Sequence, residues 1–363
     1  MKRTIAILTS LALTLIMAAS ASAKDFKFTE ASTLTLTGKL FPDTPNPYHR
    51  IDTVRFKGFT KGENQLVRQA SGIACAFRTN SSSISVKTHY LNARFAPNGN
   101  GISQRGYDLY IKDKGKWVYA ASGCNSDSKL ENNLVLIENL APGEHECLLY
   151  LPLYSELGSV QIGTDPGASI EPLENPFRHR VAIFGSSYTH GSCTSRPGMP
   201  YPAQFSRKTG IQMLSIGVSG RCLMQDYFCE ALCQAPDIDA FIFDAFSNPG
   251  AELINERLFG FIEKLQAAHP GKPLIFQKTI RRGTRNFSQS KEKFEAEKMA
   301  MSDSLMAIAV RKYKDVYYVV PNADAPDHTT SVDGVHPGDY GHVLWAKSIE
   351  KPVLRILRRY GIK

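Results

Sequence analysis

Val181, Ala182, Ile183 and Phe184 form an unbroken apolar run of the length of a strand buried on both faces, and it ends at once in Gly185-Ser186-Ser187. A strand covered on both sides needs a layer above and a layer below it, which restricts the surrounding chain to an open parallel sheet between helices. The same texture returns at residues 212–216, 240–244, 274–277 and 316–320. Helical composition fills the intervals at 200–208, 251–268, 289–313 and 340–360, with Pro352 expected to interrupt or kink the last segment. This alternation predicts a three-layer, doubly wound α/β domain of flavodoxin-like type.

In such a sheet ligands bind beyond the carboxyl ends of the strands, so Ser187 is presented to a substrate from a rigid support. A serine hydroxyl becomes a useful nucleophile only when a base takes its proton. The segment Ser331-Val332-Asp333-Gly334-Val335-His336-Pro337 lies between the last strand and the last helix, at the same sheet edge. Its Asp-x-x-His spacing lets one loop carry both the base and the carboxylate that fixes the imidazole's tautomer. Ser187, Asp333 and His336 are therefore the expected catalytic set.

Gly185-Ser186-Ser187, Gly217-Val218-Ser219-Gly220, Asn248 and Asp333-x-x-His336, in that order, resemble the four blocks of the SGNH, or GDSL-like, hydrolases. The resemblance covers the second half of the chain. It implies a serine nucleophile at Ser187, oxyanion donors at the Ser187 and Gly220 amides and the Asn248 side chain, and an acid and base in Asp333 and His336. One departure stands out: the family's Gly-Asp-Ser reads Gly185-Ser186-Ser187 here. Gly217-x-Ser219-Gly220 only approaches the Gly-x-Ser-x-Gly elbow of α/β-hydrolases, with its last glycine one residue early.

The chain opens on Met1-Lys2-Arg3, continues in the apolar stretch 5–17 and reaches Ala21-Ser22-Ala23, the pattern of a leader cleaved after Ala23. The stretch is short for a membrane span and no later segment approaches one, so residues 1–23 are expected to be a signal peptide and the product periplasmic or secreted. Of the formal charge of +9, Lys2 and Arg3 leave with the leader. The remaining +7 is scattered, which reads as solvated surface with no nucleic-acid partner. Seven cysteines follow the leader, and export predicts that some of them pair, with at least one left over.

Residues 24–161 are patterned as short alternating strands, as at 34–40, 84–87 and 107–112, separated by turns such as Pro97-Asn98-Gly99-Asn100-Gly101. The expectation is a β-sandwich of jelly-roll type over residues 24–172. Gly106-Tyr107-Asp108-Leu109-Tyr110 is similar to a G-x-D-L-Y signature found in the amino-terminal domain of a subset of SGNH esterases. Residues 163–179 read as a proline- and glycine-rich connector leading into the hydrolase domain, 173–363.

The expected activity is removal of small acyl groups, O-acetyl first among them, from a carbohydrate, with no cofactor. The carbohydrate part follows from export, the sandwich and the two-domain resemblance. Two alternatives are a lipid or short-chain acyl-ester hydrolase, and a carbohydrate-binding module attached to an inactive hydrolase domain. Asp333, His336, Asp339 and His342 resemble a metal cluster on paper, but the triad already uses two of them, so no metal is expected. His190 is read as a helix-start histidine and Arg196 as a structural arginine.

Overall fold

The computed structural model describes residues 25–93, 96–125 and 131–363. The expected leader, 1–23, lies outside the described residues. No helix among them is long and apolar enough to cross a membrane.

The first half forms two antiparallel sheets. One runs in the order Lys27–Glu30, Ser155–Thr164, Ile84–Ala93, Glu131–Ile137. The other runs Ile170–Pro172, Ala74–Thr79, His145–Tyr150, Tyr107–Asp113, Lys116–Gly123, with Thr35–Thr37 also paired to Ala74–Thr79. Period-2 alternation decides what each face meets. From Ala74–Thr79, Cys75 and Phe77 point into the sandwich with Val86, Tyr107, Leu149 and Ile162. Ala74 and Ala76 point the other way and pack with Leu173, Phe177 and Ala203. The middle of the second sheet is thus buried on both sides, by the first sheet and by a helix of the second half, while its edge strand Lys116–Gly123 stays part-exposed.

That second half carries a five-stranded parallel sheet in the order Ile211–Gly217, Arg178–Gly185, Ala240–Asp244, Leu274–Gln277, Val316–Val319. Counting in chain order this is 2-1-3-4-5, the flavodoxin-like winding, with its switch point beside the first strand. Ala182 and Phe184 face a core shared with the helices Asp226–Cys233, Ala251–Ala268 and Gln289–Lys312. Val181 and Ile183 face the helices Tyr201–Thr209 and Asp339–Arg358. The last helix runs through Pro352 without ending there.

Two further observations depart from the sequence reading. The proline-rich connector is partly strand, since Ile170–Pro172 pairs with Phe77–Thr79. Residues between the sandwich strands Thr35–Thr37 and Ala74–Thr79 also serve the α/β half: Leu40, Phe41, Ile51, Phe56, Phe59, Leu66 and Val67 belong to the same buried cluster as Phe184 and Phe243. The helix Lys61–Arg68 in this segment is capped by a Thr60–Glu63 capping box. Buried Glu63 also accepts hydrogen bonds from Gln225 and Tyr227. Beside it Arg50 is wholly buried, donating to the carbonyls of Gln69, Leu66, Ser215 and Gly217. A single guanidinium thereby ties this segment to the second strand of the parallel sheet.

The expected cysteine pairing is corrected: all seven are free thiols. Cys75 lies opposite Leu149 and Cys147 opposite Phe77, so the two are diagonal neighbours about 7–8 Å apart, beyond bridging distance. Cys229 and Cys233 lie one turn apart, and their thiols reach the carbonyls of Phe261 and Lys264 on the next helix.

Candidate active site

The first parallel strand ends at Gly185, where a Cβ would lie 2.1 Å from Thr189 Oγ1 and 2.9 Å from Asp244 Cβ. Glycine is what allows Thr189 and Asp244 to pack this close to the strand's end. Ser186 caps the helical turn Ser187–His190, accepting from Tyr188 N, while its own hydroxyl donates to Asp244 Oδ2 at 2.6 Å. Asp244, opposite Gly185 in the sheet, also accepts from Ser186 N and Thr189. Burial pushes its carboxyl above the usual range, and these bonds work against that push. A buried carboxylate therefore already sits beside residue 186, and an aspartate there would add a second. The serine that departs from Gly-Asp-Ser suits this neighbour. Because Ser186 is the cap, Ser187 is left without capping duty.

Ser187 Oγ lies 2.8 Å from His336 Nε2, and His336 Nδ1 lies 2.7 Å from Asp333 Oδ2. A carboxylate only accepts, so Nδ1 carries the proton and Nε2 is the acceptor for the serine hydroxyl. The loop is closed by the Ser331–Pro337 bridge and by Val332 N donating to His336 O at 2.8 Å. Gly334, at φ +81°, makes the turn that brings Asp333 Oδ1 under the amides of Val335 (2.9 Å) and His336 (2.7 Å). Tyr188 donates to Val335 O at 3.0 Å and receives from Arg282 at 2.8 Å, fixing this loop over the nucleophile turn. Partial burial works against the Asp333 anion, yet the bonds from Asn98, His336 and Val335 outweigh it and hold the carboxyl well below its usual range. A depressed value means that these bonds add stability above the ordinary carboxylate range and lose it only in strong acid.

Gly220 and Asn248 line the same cavity as Ser187 and His336. Asn248 Oδ1 accepts from Cys222 N at 3.2 Å, which commits the amide oxygen to the backbone and leaves Nδ2 as the donor. Gly220 stands at φ +70°, and a Cβ there would meet nothing within 4 Å. Its positive φ is a backbone reason for glycine at this position. The Ser187 amide belongs to a first helical turn, where backbone N–H groups lack intrahelical acceptors. All five residues singled out from the sequence come together at one site.

Its cavity measures about 320 Å³, and the sandwich half supplies one wall through Ala96, Asn98, Gly99, Ser103, Gln104 and Tyr154. Tyr154 stacks on buried His190 at 4.2 Å and hydrogen bonds to Ser192 and Ser219. His190 itself contacts Leu153 O at 2.7 Å, so it buttresses the wall from behind. The two remaining members of the paper metal cluster are used elsewhere. Asp339 accepts from Ser195, and His342, pushed down to about 4 by burial, accepts from Tyr201 N.

The G-x-D-L-Y segment reaches the site through Asp108. Its oxygens take Arg196 Nε at 3.1 Å and Gly198 N at 2.9 Å, pinning the loop that follows the nucleophile turn. Burial raises the Asp108 carboxyl to about 6 against the pull of Arg196. The folded value lies above the unfolded one, so this group's contribution to stability falls as pH rises from about 4 to about 6. Asp108→Ala would leave the Gly198 amide without its acceptor and Arg196 without its carboxylate, though still against Tyr110 and Tyr119, and is expected to cost about 3 kcal/mol at neutral pH, read by urea denaturation. Asp108→Asn, which keeps one acceptor and removes the charge, should cost less. Equal losses would mean that the Gly198 bond carries nothing.

Comparison with known proteins matches these features. The family model described as the N-terminus of SGNH-hydrolase-type esterases, GxDLY, matches residues 26–170, and that of the GDSL-like lipase/acylhydrolase family matches residues 178–355. A Bacteroides ovatus protein classed as a GDSL-like lipase is 34% identical, with a TM-score of 0.87 over 92% of this chain and 98% of its own. The chain belongs to the GDSL-like (SGNH) hydrolase family, in its two-part form with an amino-terminal GxDLY region. The fold is shared more distantly with the salicylyl-acyltransferase SsfX3 of a tetracycline biosynthetic pathway (18% identity, TM-score 0.65). It is shared too with a family two carbohydrate esterase from Cellvibrio japonicus (13%, 0.58), each aligned over 92% of this chain and 98% of its own. No curated protein matches the chain.

Proposed function

We propose that this ester hydrolase is an exported serine esterase, cleaved after Ala23, that removes O-acetyl or similarly small acyl groups from a carbohydrate. In this reading residues 24–172 form the sandwich domain and 173–363 the catalytic domain. The observation that carries it is the continuous Ser187–His336–Asp333 hydrogen-bond chain opening into the cavity.

His336 Nε2 takes the Ser187 proton as Oγ attacks the ester carbonyl, and the imidazolium is stabilised by Asp333. The oxyanion is received by the amides of Ser187 and Gly220 and by Asn248 Nδ2. Collapse of the tetrahedral adduct breaks the bond to the sugar oxygen, which leaves with the proton from His336. Water, activated by the same nitrogen, then cleaves the acyl-serine and restores the resting state.

A cavity of this size accepts a short acyl chain, and its Ser103, Gln104, Ser192 and Ser219 suit a hydroxylated leaving group better than an aliphatic tail. The fold shared with a carbohydrate esterase points the same way. The test sets 4-nitrophenyl acetate and an acetylated xylo-oligosaccharide beside 4-nitrophenyl palmitate, with and without chelator. Turnover of both acetates, at least 100-fold over palmitate and unaffected by chelator, is expected. Comparable turnover of palmitate would favour a lipid hydrolase, and no turnover of any ester would favour an inactive binding module.

A further inference from the structure

Asp333 accepts four hydrogen bonds of 2.9 Å or less, three of them from its own loop, besides a long contact from the Cys193 thiol to Oδ2 at 4.0 Å. The fourth comes from the other half of the molecule: Asn98 Nδ2 donates to Asp333 Oδ2 at 2.9 Å. We infer that Asn98 is a positioning residue for the triad, supplied by the sandwich to orient the Asp333 carboxylate toward His336. The inference rests on the proposed Ser187–His336–Asp333 reading.

The loop bearing Asn98 is built to hold it. Gly99 N closes a turn onto Ala96 O at 3.1 Å. Gln104, almost fully buried, grips Ala96 from both sides, accepting from its amide and donating to its carbonyl at 3.0 Å. Asn100 Oδ1 caps the helix Gly101–Arg105 through Ser103 N at 2.8 Å. That helix is fixed in turn by Leu153 N on Ser103 O and by the Ser155 hydroxyl on Gln104 O. From the catalytic half, the Cys193 thiol donates to Asn98 O at 3.0 Å, so the residue is held by its backbone as well as by its side chain.

The chemistry suits an amide. Asp333 Oδ1 is saturated by two backbone N–H groups that fix its position, but rotation about the carboxylate still decides where the Oδ2 lone pairs point. A second donor on Oδ2 restrains that rotation and leaves the other lone pair on His336 Nδ1. Asn98 does this without a charge that would compete with the imidazolium, and without a titratable proton to give up to the carboxylate. Since the contact stabilises the base and not the bound substrate, its loss should fall on kcat.

A double-mutant cycle on 4-nitrophenyl acetate tests it. Asn98→Ala is expected to lower kcat about tenfold with KM within twofold, as read by steady-state kinetics. In an Asp333→Ala background, where the partner is gone, the same substitution should change the single-turnover acylation rate less than twofold. Asn98→Asp, which keeps the shape but faces Asp333 with a second acceptor, should lose more than Asn98→Ala. Equal loss in both backgrounds, a loss confined to KM, no loss at all, or an Asn98→Asp variant no worse than Asn98→Ala would each overturn the inference. Full activity of Asp333→Ala by itself would instead refute the triad reading.

Discussion

Ser187→Ala is expected to lower kcat on an acetate ester by about 10⁴-fold or more while leaving the thermal midpoint within about 2 °C of the parent. The two halves of this expectation come from different parts of the structure. Loss of Oγ removes the atom that His336 acts on, and because the three residues act as a unit, the remaining two cannot compensate. What remains is the proposed oxyanion hole of Gly220, Asn248 and the residue 187 amide, which should survive the substitution and leave residual turnover above water. The fold should not notice the change, because the cap of the Ser187–His190 turn is Ser186. A variant with near-parental turnover would eliminate the covalent mechanism. One that loses activity and more than about 10 °C of stability would show Ser187 to be structural.

Residues 177–363 expressed alone are expected to lack a cooperative melt and a near-UV circular dichroism signal, even though they include the whole parallel sheet and all five proposed site residues. The reason is the segment that packs Leu40, Phe41, Ile51, Phe56, Phe59, Leu66 and Val67 onto the sheet's helices. At about 1.5–3 kcal/mol for each large buried side chain, their removal forfeits on the order of 10 kcal/mol. That equals the net stability of an ordinary domain, about 5–15 kcal/mol. Truncation also uncovers Phe177 and Ala203, which the sandwich sheet now covers. A fragment that melts cooperatively and hydrolyses acetate esters would show this burial to be dispensable.

Much of the catalytic half was legible because its strands are short, apolar and punctuated. Ala240–Asp244, Leu274–Gln277 and the helix Ala251–Ala268 fall where their patterns place them. Ser187 and the Asp333–His336 loop could be paired because each is a rare chemical type at a strand's carboxyl end. What escaped is set by partners distant in sequence. Thr60-x-x-Glu63 is a readable capping box, so the helix Lys61–Arg68 left a local signal, but nothing local says that its apolar face serves the parallel sheet instead of the sandwich. The helix Asp226–Cys233 is not among the helical segments read from the sequence. Asn98 sits in a Pro-Asn-Gly-Asn-Gly turn where asparagine is expected for backbone reasons, which hides its contact with a carboxylate 235 positions away. For Cys75 and Cys147, strand register keeps apart two thiols that an exported chain is expected to pair.

Arg50 bears on how the molecule comes to be made. Its guanidinium is satisfied by carbonyls from two stretches of chain, and Gly217 O lies 167 positions further on. Until that later strand has been synthesised and has docked, the cation must stay in water, because burying it with half its acceptors missing is too costly. Early collapse of the segment around it is thereby discouraged. The segment around Arg50 is expected to wait for the strand Ile211–Gly217, and loop-closure entropy over so long a separation slows the wait. This contact is expected to make the segment around Arg50 and the parallel sheet form together.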